Sequence, residues 1–307
     1  MLISEQFKKQ YLNYLKSYLP EEITQGLSFE NSVSENFDDL IHLSHLEVCQ
    51  NRINGLNLTC ESKDLSERML KLANGDEFIA GARFKNLDIR FPFIEINSSL
   101  NMTVAVMSEI SHIVRSEFKN IRPLGIKFKD KPNKHLNLEK WSHVVFGQIN
   151  RQYYSQINTE IIFSLTQSLD WHQQYVAEYQ ERLKEKNELN GFVRIGQLDE
   201  FQESAADQAL LVARDEQGFC GVFAGTSSPI YGLPAVYMIE SYLSKRWTGK
   251  KIAPLAHSIF LNKMANRFGY VWGTIYDQNL SSLNTALRIG RRIIETEYFY
   301  RFDDGKS

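Results

Sequence analysis

Apolar positions recur at helical spacing at Phe7, Tyr11, Tyr14, Leu15 and Tyr18, and the run stops at Pro20, which predicts an amphipathic helix at the start of the chain. A second helix is predicted over residues 37–53, with Asp38 near its start. Residues 77–96 alternate as strands broken at Asn86 and Pro92, residues 104–118 read as a helix, and residues 124–128 read as a strand. Residues 141–149 fit either a helix or a strand, and residues 160–165 a strand. Residues 171–189 are polar, charged and free of Gly and Pro, so a helix is predicted to join two halves of the chain, with Asp170 as its cap and Gln173 three residues on. A second unit then begins at Gly191. Its first hairpin is predicted from residues 210–214 and 220–224 around Asp215-Glu216-Gln217-Gly218.

The most informative stretch lies further on. Residues 234–243 are rich in the branched and aromatic types that suit a pleated strand. From Ile252 the pattern turns helical, with Ile252, Leu255, Ala256, Ile259 and Phe260 on one face. Between them stands Arg246-Trp247-Thr248-Gly249-Lys250-Lys251, a loop with a glycine and three cations. The first amides of a helix lack internal partners and its dipole favours an anion, so this strand, loop and helix N-terminus make a phosphate-binding expectation. A further strand follows at residues 271–276. Asp277-Gln278-Asn279 then leads into a short helix that stops at Gly290.

This order resembles the GCN5-related N-acetyltransferase (GNAT) superfamily. The acetyl-CoA loop of that family reads Gln/Arg-x-x-Gly-x-Gly/Ala and is followed by a helix, a strand ending near Asn, and a last helix ending in Gly. Arg246 and Gly249 match the loop, Asn279 the strand-end Asn, and Gly290 the helix-end Gly; the resemblance spans residues 171–302. Two positions depart from the pattern. Lys251 stands at the loop's last position, usually Gly or Ala, and Ala286 stands where many members carry the Tyr that serves as general acid.

The resemblance implies an α/β (α+β) fold with a mixed, mostly antiparallel central sheet flanked by helices, with two such units in tandem. The domains are read as residues 1–168, a degenerate GNAT-like unit, and 169–307, the acyl-CoA-binding catalytic unit. The first half has the same order of elements, but the segment from Asn97 to Thr103 has no Gly and no cation, so no CoA site is expected there. In the second unit the resemblance implies that the acyl-pantetheine arm lies along Ile239, Ser241, Tyr242 and Leu243. The pyrophosphate is expected at Arg246, Trp247, Thr248, Gly249, Lys250 and Lys251, with Asn279 either touching the cofactor or only capping its helix. Glu240, on the strand beside the expected thioester, is the candidate base, and Tyr298 and Tyr300 are the candidate acids in place of Ala286. The alternative readings are a solvent-facing strand carboxylate for Glu240 and packing residues with a polar tip for Tyr298 and Tyr300.

The implied activity is transfer of an acetyl (acyl) group from acetyl-CoA to a primary amine. Two other readings stay open: an aminoacyl-tRNA-dependent ligase of tandem-GNAT type, and a non-catalytic acyl-CoA-binding or scaffold protein. Net charge is −2 over 307 residues, which offers no overall field for nucleic acid or an anionic membrane. The acceptor is expected to be an amine on a small molecule or protein, and homodimerisation, common in the family, has no signature here. Cys49, Cys60 and Cys220 form no CxxC pair, and their odd number suits a reducing, cytoplasmic setting. His42, His45 and Cys49 share a helical face but lie among core-like residues with no fourth ligand in sequence, so no metal is expected. No HExxH, G-x-S-x-G or P-loop motif occurs.

Overall fold

A computed structural model describes residues 1–135, 137–149, 160–186, 189 and 192–302. The elements run α1 (Glu5–Lys16), α2 (Glu21–Thr24), α3 (Phe29–Leu43), α4 (Leu46–Leu56), α5 (Ser62–Leu65), β1 (Arg68–Lys71), β2 (Glu77–Phe84), β3 (Pro92–Asn97), α6 (Val104–Glu117) and β4 (Gly125–Asp130). They continue with β5 (Glu139–Gln148), β6 (Ile162–Leu165), α7 (His172–Glu185), α8 (Leu198–Ala206), β7 (Leu210–Asp215), β8 (Gly218–Ser227) and β9 (Ala235–Leu243). The last are α9 (Ile252–Met264), β10 (Tyr270–Tyr276), α10 (Leu280–Arg288) and β11 (Arg292–Arg301). The fold is therefore a mixed α/β one in which antiparallel pairings dominate and helices flank the strands.

The chain forms two compact units, residues 1–141 with 295–307, and residues 142–294. In the first unit β1, β2 and β3 are antiparallel, β4 pairs parallel to β3 after the α6 crossover, and β11 returns antiparallel to β4. Its core gathers Phe78, Ile94, Ile110, Val114, Phe118 and Ile126, all fully buried. The burial of Met107, Ile110 and Val114 follows from their spacing along one face of α6. In the second unit β6, β7, β8 and β9 are antiparallel, β10 pairs parallel to β9 after the α9 crossover, and β5 runs antiparallel to β10 along its whole length. Two packed clusters support it, one around Phe223, Val236, Phe260 and Val271, the other around Trp171, Tyr175, Phe201 and Phe219.

Both units thus repeat one order of pairing: antiparallel strands, a helical crossover to a parallel neighbour, and an outer antiparallel strand. The outer strand comes from the far half of the chain in each case, β11 for the first unit and β5 for the second. The boundary read from sequence, between residues 168 and 169, lies inside the second compact unit.

Locally, several expectations are refined. The helix predicted over residues 37–53 is two helices, because His45 is extended (φ −73°, ψ 132°) and Ser44 turns its hydroxyl back to the Ile41 carbonyl. Of residues 141–149, all but Ile149 belong to strand β5. The joining helix starts at His172 with no side-chain cap; Asp170 instead pairs with Arg214 at 2.9 Å. The expected start of the second unit at Gly191 lies outside the described residues. The pattern missed α8, although Gln197 and Glu200 form a reciprocal capping box at its start. Among the described residues no helix is long and apolar enough to cross a membrane, and no group of His, Cys, Asp or Glu is arranged to hold a metal.

Candidate active site

The site begins where two strands part. β9 and β10 pair only at Ala235–Tyr237 with Tyr270–Trp272; beyond that, β9 runs on through Leu243 and β10 through Tyr276 without pairing to each other. On its other side β9 carries an irregularity: Ala224 faces Glu240 and Gly225 faces Met238, so Ile239 is an extra, bulged residue. A bulge bends its strand and sharpens the local twist. The parted strands leave a cleft of about 230 Å³, lined by Met238, Glu240 and Ser241 on one side and by Thr274 and Tyr276 on the other. Among the described residues the first unit shows no such parting, since β3 ends at Asn97, one residue beyond its last parallel pair at Ile96.

The cleft leads to the loop singled out in the sequence. A second cavity of about 190 Å³ shares Arg182, Ser241 and Ser282 with the cleft and continues over Thr248, Gly249, Lys251 and Ile252 at the start of α9. Gly249 is left-handed (φ +80°), and so is Lys251 (φ +61°), the residue directly before the helix. That conformation costs an L-residue with a Cβ roughly 1–2 kcal/mol, which accounts physically for a glycine preference at this position and for the departure being tolerated. Lys251 places no side-chain cap on α9, and no backbone carbonyl accepts from the amides of Gly249, Lys250 or Lys251 among the described residues. In the first unit the equivalent helix end is closed: Thr103 caps α6 by accepting from the Val106 amide at 3.3 Å.

Not every predicted phosphate contact is open. Arg246 is committed to Asp215 through two hydrogen bonds, Nε to Oδ2 at 2.7 Å and Nη2 to Oδ1 at 3.0 Å, and donates again to the Phe219 carbonyl at 2.7 Å. Trp247 donates its indole N–H to the same carboxylate at 2.6 Å. The Thr248 amide is spent on the Lys245 carbonyl at 3.0 Å. These three residues brace the loop. Lys250 lies over the Trp247 ring at 4.4 Å, so of the three loop cations Lys251 is the one at the mouth of α9, where Arg182 and Arg288 also line the cavity.

Glu240 enters the cleft held on both oxygens. Tyr175, fully buried on α7, donates to Oε2 at 2.5 Å, and the Ser241 amide donates to Oε1 at 2.7 Å. Tyr175 in turn accepts from the Gly196 amide at 2.9 Å. Burial pushes the Glu240 carboxyl above the usual carboxylate range, and the Tyr175 and Ser241 hydrogen bonds hold it partly back. Ser241 shares a 2.5 Å hydrogen bond with His257 Nε2 on α9, and burial drives the His257 pKa down to about 3, so the ring is neutral. Asn279 lines the cleft and caps α10, accepting from the Ser282 amide at 3.4 Å.

Of the remaining predicted residues, Ile239 lines the cleft, while Tyr242 is buried and donates to Glu178 at 3.0 Å. Leu243 borders the cavity at α9. Tyr298 and Tyr300 lie on β11 in the first unit and do not line the cleft. The Tyr298 hydroxyl donates to the Lys131 carbonyl at 2.9 Å and accepts from the Lys134 amide at 3.1 Å, and Tyr300 packs on the core of that unit. Sequence reasoning missed Tyr175 and His257, and read Arg291 only as part of a basic cluster with Arg288 and Arg292 near the last helix end, there to meet the helix dipole or a CoA phosphate. Tyr175 and His257 sit on predicted helices, with no local signal that they face one cleft; Arg291 directly follows the conspicuous Gly290.

No family model matches the chain, and no curated protein does. Among solved structures, it is similar to a GCN5-related N-acetyltransferase from Sphaerobacter thermophilus, at 9% identity and TM-score 0.50, with 85% of this chain and 90% of that one covered. A GCN5-related N-acetyltransferase from Kribbella flavida follows at 10% identity and TM-score 0.46, covering 85% and 96%. A Drosophila protein matches over 99% of this chain and 98% of its own, at 8% identity and TM-score 0.44. With a strand parted from its parallel neighbour above an uncapped helix N-terminus, the chain has the fold of the GCN5-related N-acetyltransferase superfamily.

Proposed function

We propose that the second unit binds acetyl-CoA and transfers its acyl group to a primary amine, and that the first unit is a degenerate copy without a cofactor site. The observation that carries this reading is the cleft between β9 and β10 opening onto the uncapped, lysine-fronted start of α9. An extended ligand with an anionic middle fits such a path. The free amides of Gly249 to Lys251 and the Lys251 ammonium would hold the pyrophosphate, and the unpaired edge of β9 from Met238 to Ser241 would hold the arm. When bound, the cofactor supplies an activated acyl group. Glu240 would take a proton from the amine, a reading supported by its burial, since a carboxyl raised by burial works closer to neutral pH than a solvated one. Tyr175 holds that carboxylate in one orientation. Tyr298 and Tyr300 are left to packing, and the acid that Ala286 cannot provide is unassigned.

Titration calorimetry with acetyl-CoA tests the reading, using the wild type and Lys251→Glu. Binding in the wild type should weaken at least about tenfold in the variant, since a charge-assisted contact is worth roughly 1.5–3 kcal/mol. A folded wild type that binds no acetyl-CoA sinks the acetyltransferase reading and favours an aminoacyl donor or a scaffold role.

A further inference from the structure

The cleft contains a cation that no acidic side chain answers. Arg291 lines it and is 5% exposed. Its Nη2 donates to the Val145 carbonyl at 2.9 Å, while its Nε is buried with no acceptor, and no carboxylate pairs with it among the described residues. Burial alone lowers its pKa, to about 10. Glu67 and Asp130, by contrast, have cationic partners: Glu67 pairs with Arg83 at 2.5 Å, and Asp130 with Lys134 at 2.9 Å. An uncompensated buried charge is costly, so one that persists in a cleft points to a partner that arrives with the ligand.

The arginine is also deliberately seated. Gly290 is left-handed (φ +85°) and closes α10 with two bonds, its own amide to the Leu287 carbonyl and the Arg291 amide to the Ala286 carbonyl, both 3.1 Å. This double closure needs a residue without a Cβ penalty at Gly290 and fixes where Arg291 begins. A Cβ on Gly273 of β10 would lie 3.3 Å from the guanidinium, so that glycine leaves the group its room. Beside it His257, also 5% exposed, has a buried Nδ1 without a partner. The other charged groups lining the cleft are Arg182, Arg194, which pairs with Glu200, and Glu240, whose two oxygens are occupied by Tyr175 and Ser241.

We infer that Arg291 is the seat for a carboxylate carried by the ligand that enters this cleft. A planar guanidinium with an unanswered N–H matches a carboxylate in charge and geometry. The inference rests on the acyl-transfer reading only for the source of the group. It belongs either to a dicarboxylic acyl chain or to an amine acceptor of the amino-acid type.

The test uses the full-length protein labelled with nitrogen-15, following the Arg291 Nε–H resonance by NMR; the resonance is identified by its loss in Arg291→Lys. Acetyl-CoA is compared with succinyl-CoA. Glycine is compared with methylamine, with and without acetyl-CoA. The resonance should move with the carboxylate-bearing member of one pair and not with its neutral partner. Succinyl over acetyl places the carboxylate on the acyl group, and glycine over methylamine places it on the acceptor. Calorimetry on the same samples should show at least a tenfold preference for the carboxylate-bearing probe, collapsing in Arg291→Met. A resonance unmoved by both carboxylates, or moved equally by both members of each pair, overturns the inference. Failure of acetyl-CoA to bind registers separately in the calorimetry and bears on the acetyltransferase reading, while the glycine arm still decides the carboxylate seat.

Discussion

Asp215 is the keystone of the loop before α9, and Asp215→Asn measures how far that loop is braced by one charge. The carboxylate is almost fully buried and receives two bonds from Arg246, one from Trp247 and one from the Gln217 amide. Breaking one side of a well-buried pair costs about 3–5 kcal/mol. Arg246 keeps the Phe219 carbonyl at 2.7 Å and 29% of its side chain is exposed, so part of that cost relaxes into water. An expected loss of about 2–3 kcal/mol, with a urea slope of about 2 kcal/mol/M, lowers the unfolding midpoint by about 1–1.5 M at pH 7. The Arg246 and Trp247 contacts hold the Asp215 carboxyl well below the usual carboxylate range. The stability they contribute is therefore complete above an unfolded pKa of about 3.9 and is lost as pH falls through the lower folded value. Wild type and variant should converge in strong acid. A midpoint shift below about 0.3 M at pH 7, or a difference that persists in strong acid, would refute the account.

Two further perturbations follow from the cleft. Tyr175→Phe removes a donor that lowers the Glu240 pKa and strands the buried Gly196 amide. Stability should fall by about 1–3 kcal/mol, and, once a substrate is in hand, the acidic limb of the pH–rate profile should move to higher pH; an unmoved limb would separate Glu240 from proton transfer. His257 is held neutral with a pKa lowered to about 3, so the unfolded chain binds the extra proton between that value and about 6.5. Stability should accordingly be lost as pH falls through this window, by up to a few kcal/mol, and His257→Asn should flatten that slope in denaturant titrations across pH 3–7. An equally steep slope in the variant would assign the loss to other groups.

Much of the second unit was legible along the chain because its signals are local. The turn to helical spacing at Ile252, the glycine and cations before it, and the stop at Gly290 mark the loop, α9 and the end of α10 without reference to any distant residue. The parting of β9 from β10 is not legible in periodicity, since nothing in alternation says where two parallel strands stop pairing. What the tertiary structure decided is which charges are spent. Arg246 and Lys251 look alike in sequence, but Asp215, 31 residues upstream of Arg246, occupies the first and leaves the second at the mouth of the helix. Glu240 acquires its environment from Tyr175, and Arg291 its isolation from the lack of a paired carboxylate among the described residues, both matters of burial among residues far apart in the chain. The return of β11 to the first unit is equally silent in the sequence: nothing in the alternation around Tyr298 says which unit the strand joins, and only the pairing with Phe128 on β4 decides it. Backbone periodicity is set by neighbours a few residues away; strand partnership and the state of a charge are set by whatever packing brings alongside.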